Sequence, residues 1–143
     1  MRIGVPKEIK PQENRIGLTP DSVKTLVSEG HEVLVENNGG FEAGFDNDQY
    51  KNAGAKIIEK AADIFNDAEI IVKVKEPQKV EVEMIKENQI VYTYLHLAAA
   101  KELTEGLIKS KSINIAYETV TDDNGRLPLL APMSAVAGRM SVQ

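Results

Sequence analysis

Hydrophobic positions along the chain follow two rhythms: short runs of period 2, and longer stretches with apolar residues at i, i+3 and i+4. Residues 2–5 (Arg-Ile-Gly-Val) predict a strand, and a polar loop follows from Pro6 to Leu18. Thr19-Pro20-Asp21 predicts a helix start: a hydroxyl to cap free N–H groups, a proline suited to the first turn, and an acid facing the positive end of the helix dipole. Val23, Leu26 and Val27 give that helix its apolar stripe, and Gly30 its stop. Residues 31–36 predict a second strand, followed by a Gly-rich loop over 37–44. A short helix over 48–53, a strand over 56–58 and a helix over 61–66 come next. Residues 69–75 form a marked strand pattern closed by Glu76-Pro77, and 80–87 read as a helix whose Glu81, Glu83 and Glu87 make a solvated face. A strand over 89–97, a helix over 101–111 and a strand over 113–120 complete the series, before a turn at Asp122–Gly125. This alternation predicts an α/β fold: a mostly parallel, Rossmann-like (flavodoxin-like) sheet with helices on both faces.

The end of the chain breaks the pattern. Pro132 opens a helix in which Met133, Val136, Ala137 and Met140 form an i, i+3, i+4, i+7 stripe, and Gln143 stops it in mid-pattern. An apolar stripe that stops in mid-pattern is expected to pack on something further along. The chain is therefore read as part of a longer protein, with one domain over 1–131 and the start of a connecting helix over 132–143.

Composition narrows the function classes. The chain has 143 residues, 42% of them hydrophobic, enough for one domain with a core that needs no staple. With no cysteine, disulfide and thiolate chemistry are excluded. A formal net charge of −5 argues against a nucleic-acid binder that depends on phosphate contacts. No apolar run is long enough to span a bilayer, and residues 1–20 lack the apolar core of a signal peptide, so a cytoplasmic domain without membrane contact is expected. The two histidines, His31 and His96, show no metal-ligand spacing, and no metal is expected. Gly39, Gly40 and Gly44 do not fit G-x-G-x-x-G, so the chain carries no dinucleotide fingerprint of its own.

In an open parallel sheet, ligands bind beyond the carboxyl ends of the strands. That rule selects Arg15, in the loop leaving the first strand; Lys73 or Lys75, on one face of the 69–75 strand; and His96, near the end of the 89–97 strand on a face shared with Tyr92 and Tyr94. Each has a plainer account: a solvated loop arginine, a surface lysine, a structural histidine. Together they have a readable chemistry. Arginine offers a planar fork for a carboxylate. A lysine ammonium polarises a carbonyl oxygen, and histidine exchanges a proton near neutral pH. The set suits a small 2-oxo acid. Ser134, in the first turn of the last helix, reads as an ordinary helix-start residue.

Four segments carry a resemblance: Met1–Pro20 (MRIGVPKEIKPQENRIGLTP), Val72–Pro77 (VKVKEP), Tyr94–Ala98 (YLHLA) and Leu127–Ser141 (LPLLAPMSAVAGRMS). They resemble the N-terminal, substrate-binding portion of the alanine dehydrogenases, within the alanine dehydrogenase/pyridine nucleotide transhydrogenase N-terminal domain family. The first three are shared in looser form with transhydrogenase alpha subunits; the fourth, with Tyr117-Glu118-Thr119-Val120, resembles alanine dehydrogenase alone. The resemblance implies NAD-dependent, reversible oxidative deamination of L-alanine to pyruvate and ammonium. It implies that Arg15, Lys75 and Tyr94 bind substrate, that His96 donates and accepts the proton, and that Ser134 touches the cofactor. It selects Lys75 over Lys73, which is then expected to tolerate substitution. It further implies a homohexamer and a Rossmann domain, beyond this chain, that holds most of the NAD. The chain alone is expected not to catalyse. A transhydrogenase subunit domain and a stand-alone 2-oxo acid binding module are the alternatives.

Overall fold

The computed structural model describes residues 1–142. Six parallel strands form one sheet: β1 (Arg2–Val5), β2 (Glu32–Glu36), β3 (Lys56–Ile58), β4 (Ile70–Val72), β5 (Ile90–Thr93) and β6 (Ile113–Ala116). Their spatial order is β3-β2-β1-β4-β5-β6. The chain thus winds outward from β1 to β3, crosses the sheet, and winds outward again from β4. The switch point between β1 and β4 is where such sheets leave a crevice at the strand ends.

Among the described residues five α-helices connect the strands, α1 (Pro20–Ser28), α2 (Asn47–Asn52), α3 (Ala61–Asp67), α4 (Lys79–Val82) and α5 (Lys101–Ser110), and α6 (Ala131–Met140) follows β6. The α1 start follows its sequence signals, since the Thr19 hydroxyl accepts a hydrogen bond from the Ser22 N–H and proline occupies the first turn. Asp46 caps α2 in a capping box with Gln49. Alternation along the strands divides the core in two. Ile3, Val5, Val33, Val35 and Val72 pack with Val23 of α1 and Tyr50 of α2. Leu34, Ile71 and Val91 pack with Ile64 and Phe65 of α3, Ile85 and Leu107. Both faces of the sheet are therefore covered by helices, although Ile113 and Ile115 on the edge strand β6 stay 50% and 41% exposed.

Several elements are shorter than their patterns predict. β4 ends at Val72 instead of residue 75, because Lys73 turns into a buried cluster of charges. The 80–87 helix is one turn only: Asn88 adopts a left-handed φ of 64°, and Gln89 is buried with its amide donating to the carbonyls of Phe65 and Ala68. Tertiary hydrogen bonding overrides helix propensity there. Strand β6 ends at Ala116, and Tyr117–Thr119 forms a 3-10 turn. The terminal helix α6 forms as the sequence predicts and leaves Val136 and Met140 exposed; Gln143 lies outside the described residues. Among the described residues no helix is long and apolar enough to cross a membrane, and no group of acids and histidines could hold a metal ion.

Candidate active site

Two loops meet at the switch point. The loop after β1 runs from Pro6 to Thr19, and its Gly17 sits so close to β4 that a Cβ there would lie 2.5 Å from the Val72 carbonyl oxygen. Glycine is what lets this loop lie flat on the exit of β4. The contact seats the loop that carries Arg15 against Val72 and Lys73 at the exit of β4.

Glu8 ties the two exits together. Its Oε1 accepts the Val74 N–H at 2.6 Å and the Lys75 N–H at 3.3 Å, while its Oε2 lies 3.1 Å from Lys73 Nζ. A second carboxylate, Glu81 Oε1 of α4, stands 2.7 Å from the same ammonium. All three side chains are 3% exposed or less. Burial pushes the Glu81 carboxyl above its ordinary range and neighbouring Glu8 pushes the same way, against the pull of Lys73. Two sequence expectations are corrected here. Lys73 is no replaceable surface neighbour of Lys75, and Glu81 is no part of a solvated helix face. Charge this deep is held only by pairing.

Arg15 is exposed, and Glu13 grips it. Arg15 Nε donates to Glu13 Oε1 at 2.8 Å, Nη2 to Oε2 at 2.7 Å, and the Arg15 backbone N–H to Oε1 at 2.9 Å. The guanidinium holds the Glu13 carboxyl down at about 2 despite its partial burial, with Lys75 assisting from nearby. In return Glu13 raises the affinity of Arg15 for its proton, and Tyr94 and Glu8 add to that effect. Glu13 thus lies within electrostatic reach of both Arg15 and Lys75, and Arg15 within reach of Tyr94.

The third strand end supplies Tyr94 and His96. Thr93, fully buried, donates its hydroxyl to the Lys75 carbonyl at 2.8 Å, which joins the exits of β4 and β5. Tyr94 is 7% exposed and donates its hydroxyl to the Leu129 carbonyl at 2.7 Å. Its ring packs edge-on against Tyr117 and stacks with the His96 imidazole, centroids 6.4 Å apart and planes 18° from parallel. The His96 side chain is exposed to solvent.

His96 also has a left-handed backbone, φ 49° and ψ 39°, a conformation that costs a side-chain-bearing residue roughly 1–2 kcal/mol. Glu118 holds it there, because its Oε1 accepts the N–H groups of Leu95 at 3.1 Å and His96 at 2.8 Å. Burial raises the Glu118 carboxyl, but those backbone donors outweigh it and leave the group below its ordinary range. Glu76 stands on the other side. Burial raises its carboxyl, and the ion pair with Lys10 more than reverses this, with His96 helping. Backbone strain of this kind tends to gather at functional sites.

Ser134 lies apart. It is exposed in the first turn of α6, bonds only back to Leu130, and touches none of the other candidates. A cavity of about 440 Å³ with a mainly apolar lining is walled by Tyr92, Tyr94, Tyr117 and Leu129 on one side of the cluster. Another of about 690 Å³ lies between α4 and α5 and contains none of the five candidate residues.

The arrangement offers an anion fork, an ammonium, a proton carrier and an aromatic wall along one sheet edge. It offers no dinucleotide cradle. The turn after β1 presents the buried Glu8 carboxylate where a pyrophosphate would need N–H donors, and α1 begins only at Pro20.

Comparison with known proteins agrees with this frame. The family model described as "Alanine dehydrogenase/PNT, N-terminal domain" matches residues 4–137. The alanine dehydrogenase of Staphylococcus epidermidis is 52% identical over all 143 residues, and that of Methanococcus maripaludis 50%. This chain spans 38% of the length of each of those two relatives. A solved L-alanine dehydrogenase superposes with a TM-score of 0.95 at 53% identity, covering all of this chain and 39% of that one. A transhydrogenase from Sinorhizobium meliloti superposes at 0.80 with 26% identity, covering 87% of this chain and 35% of its own. The chain belongs to the alanine dehydrogenase/PNT N-terminal domain family.

Proposed function

We propose that this chain is the substrate-binding domain of an NAD-dependent alanine dehydrogenase, which interconverts L-alanine with pyruvate and ammonium. The observation that carries the reading is the stacking of His96 on Tyr94 at the exit of β5, with Arg15 and Lys75 both acting on Glu13 and Tyr94 acting on Arg15. The names and identities of the relatives support alanine dehydrogenase over transhydrogenase, at 52% against 26%.

In this reading Arg15 binds the substrate carboxylate through its planar fork. Lys75 donates to the 2-oxo oxygen and stabilises the negative charge that develops there. His96, solvent-exposed and pinned by Glu118, moves the proton to and from that oxygen. Tyr94 closes one wall. The residues of this chain do not fit a bound NAD; a further domain of a cytoplasmic homo-oligomer, a hexamer in the resembling enzymes, would hold it. Ser134, exposed at the start of α6, is the one residue here proposed to touch it.

The test is alanine-dependent NAD reduction by the full-length enzyme that carries this domain. His96→Ala should depress the rate by about 10²–10⁴-fold with an unchanged far-ultraviolet spectrum. Wild-type enzyme inert towards alanine, or His96→Ala at full rate, would overturn the reading.

A further inference from the structure

The Glu13–Arg15 pair has a geometry that an ordinary surface ion pair does not need. A guanidinium carries five N–H donors. Glu13 engages one edge only, the Nε and Nη2 protons, and its carboxylate is itself tied to the Arg15 backbone N–H. Both protons on Nη1 and the second on Nη2 find no acceptor among the described residues. Two of them, one on each Nη, form the end-on edge, which makes two parallel bonds to a carboxylate. Glu13 is also sheltered, its side chain 7% exposed against 49% for Arg15. An arginine held by its side edge by a fixed carboxylate, with its end edge free, is aimed.

We propose that Glu13 is a positioning residue: it locks the side edge of the Arg15 guanidinium so that the end edge is presented to the carboxylate of a small 2-oxo acid. The inference rests on the reading of Arg15 as the substrate's carboxylate partner. It goes further by assigning the orientation to Glu13 and by requiring no displacement of Glu13 when substrate enters. Flexible arginine loses side-chain entropy on binding, and Glu13 has removed part of that loss before the ligand arrives.

Charge alone predicts the opposite effect, which makes the sign of one measurement decisive. Glu13 is an acid beside an anion site. By Coulomb's law its neutralisation should strengthen the binding of a carboxylate. Positioning predicts that Glu13→Gln weakens it, since an amide nitrogen cannot accept from Nη2 and the fork swings free.

The experiment is pyruvate kinetics in the full-length enzyme, with Arg15→Lys as the reference background. In the Arg15 enzyme, Glu13→Gln should raise KM for pyruvate by about tenfold or more with kcat within twofold, the signature of lost binding outside the reacting bond. In the Arg15→Lys enzyme, whose ammonium has no edge to aim, the same change should leave KM unaltered or lower it. Glu13→Asp, which keeps the charge but cannot reach both nitrogens, should resemble Glu13→Gln; it also stands in should the glutamine variant fold poorly. A lower or unchanged KM for Glu13→Gln in the Arg15 enzyme overturns the inference while leaving Arg15 as a ligand. An unchanged KM for Arg15→Lys overturns both the inference and the reading beneath it.

Discussion

Replacing Lys73 by methionine should cost this fold more than any substitution at the exposed candidates. Lys73 is fully buried, 2.7 Å from one buried carboxylate and 3.1 Å from another. Methionine fills a similar volume but leaves Glu8 and Glu81 facing each other without a cation. Removing one member of a buried ion pair costs about 3–5 kcal/mol. For a domain near this size that is a fall in Tm of roughly 10–20 °C. The loss should also depend on pH. Glu81 already sits above its ordinary value of 4.5 through burial, opposed by Lys73, so without Lys73 it rises further. A carboxyl raised on folding contributes stability that is complete below its unfolded value and is lost as pH rises through its folded value. The destabilisation should therefore be large at pH 8 and shrink towards pH 5. The assay is urea unfolding of wild type and Lys73→Met followed by circular dichroism at both pH values, with Lys73→Met/Glu81→Gln as the partial rescue. A loss under about 1 kcal/mol, in the range of a surface pair, or one that does not change with pH, would refute the triad as an energetic unit.

Two further outcomes follow from the same geometry. Gly17→Ala forces a Cβ to 2.5 Å from the Val72 carbonyl and 3.2 Å from the Lys73 nitrogen, so pyruvate affinity should fall together with thermal stability; an alanine variant with wild-type Tm and affinity would show that the loop does not rest on β4. Glu118→Ala removes the acceptor for the Leu95 and His96 N–H groups and should cost about 1–3 kcal/mol along with turnover. Because the Glu118 carboxyl lies below 4.5 in the fold, its stabilisation is present above that pH and lost below it, so acid titration of both proteins should converge; curves parallel down to pH 2 would contradict this.

Local physics made the frame readable. Thr19-Pro20 announces α1 because capping is settled within a few residues, and strand alternation divides the two cores because side-chain direction is local. The carboxyl-end rule points to Arg15, to Lys73 or Lys75, and to His96, with the resemblance needed to choose Lys75 and to add Tyr94, but neither shows their company. Glu8 is 65 residues from Lys73, and nothing in either neighbourhood announces the pair. Glu81 reads as one of several acids on a helix, since periodicity cannot tell a solvated acid from one facing a buried cation. Alternation puts Lys73 and Lys75 on one face and cannot separate them; what does is that the strand ends at Val72 and Lys73 is buried. His96 carries no glycine-like signal for its positive φ, although histidine is among the residues that tolerate it. The signal available was Glu118, which lies 22 residues away from His96 and becomes informative only once β5 and β6 are paired.

Pyruvate titration of the chain, followed through the amide resonances of residues 13–17, 73–76 and 94–96, tests the central claim most directly. The account predicts saturable shifts confined to those three segments, abolished by Arg15→Ala, weakened by Lys75→Ala and retained in His96→Ala. Shifts centred instead on the groove between α4 and α5, or binding indifferent to Arg15→Ala, would contradict the assignment of a 2-oxo acid site to the β1/β4 switch point.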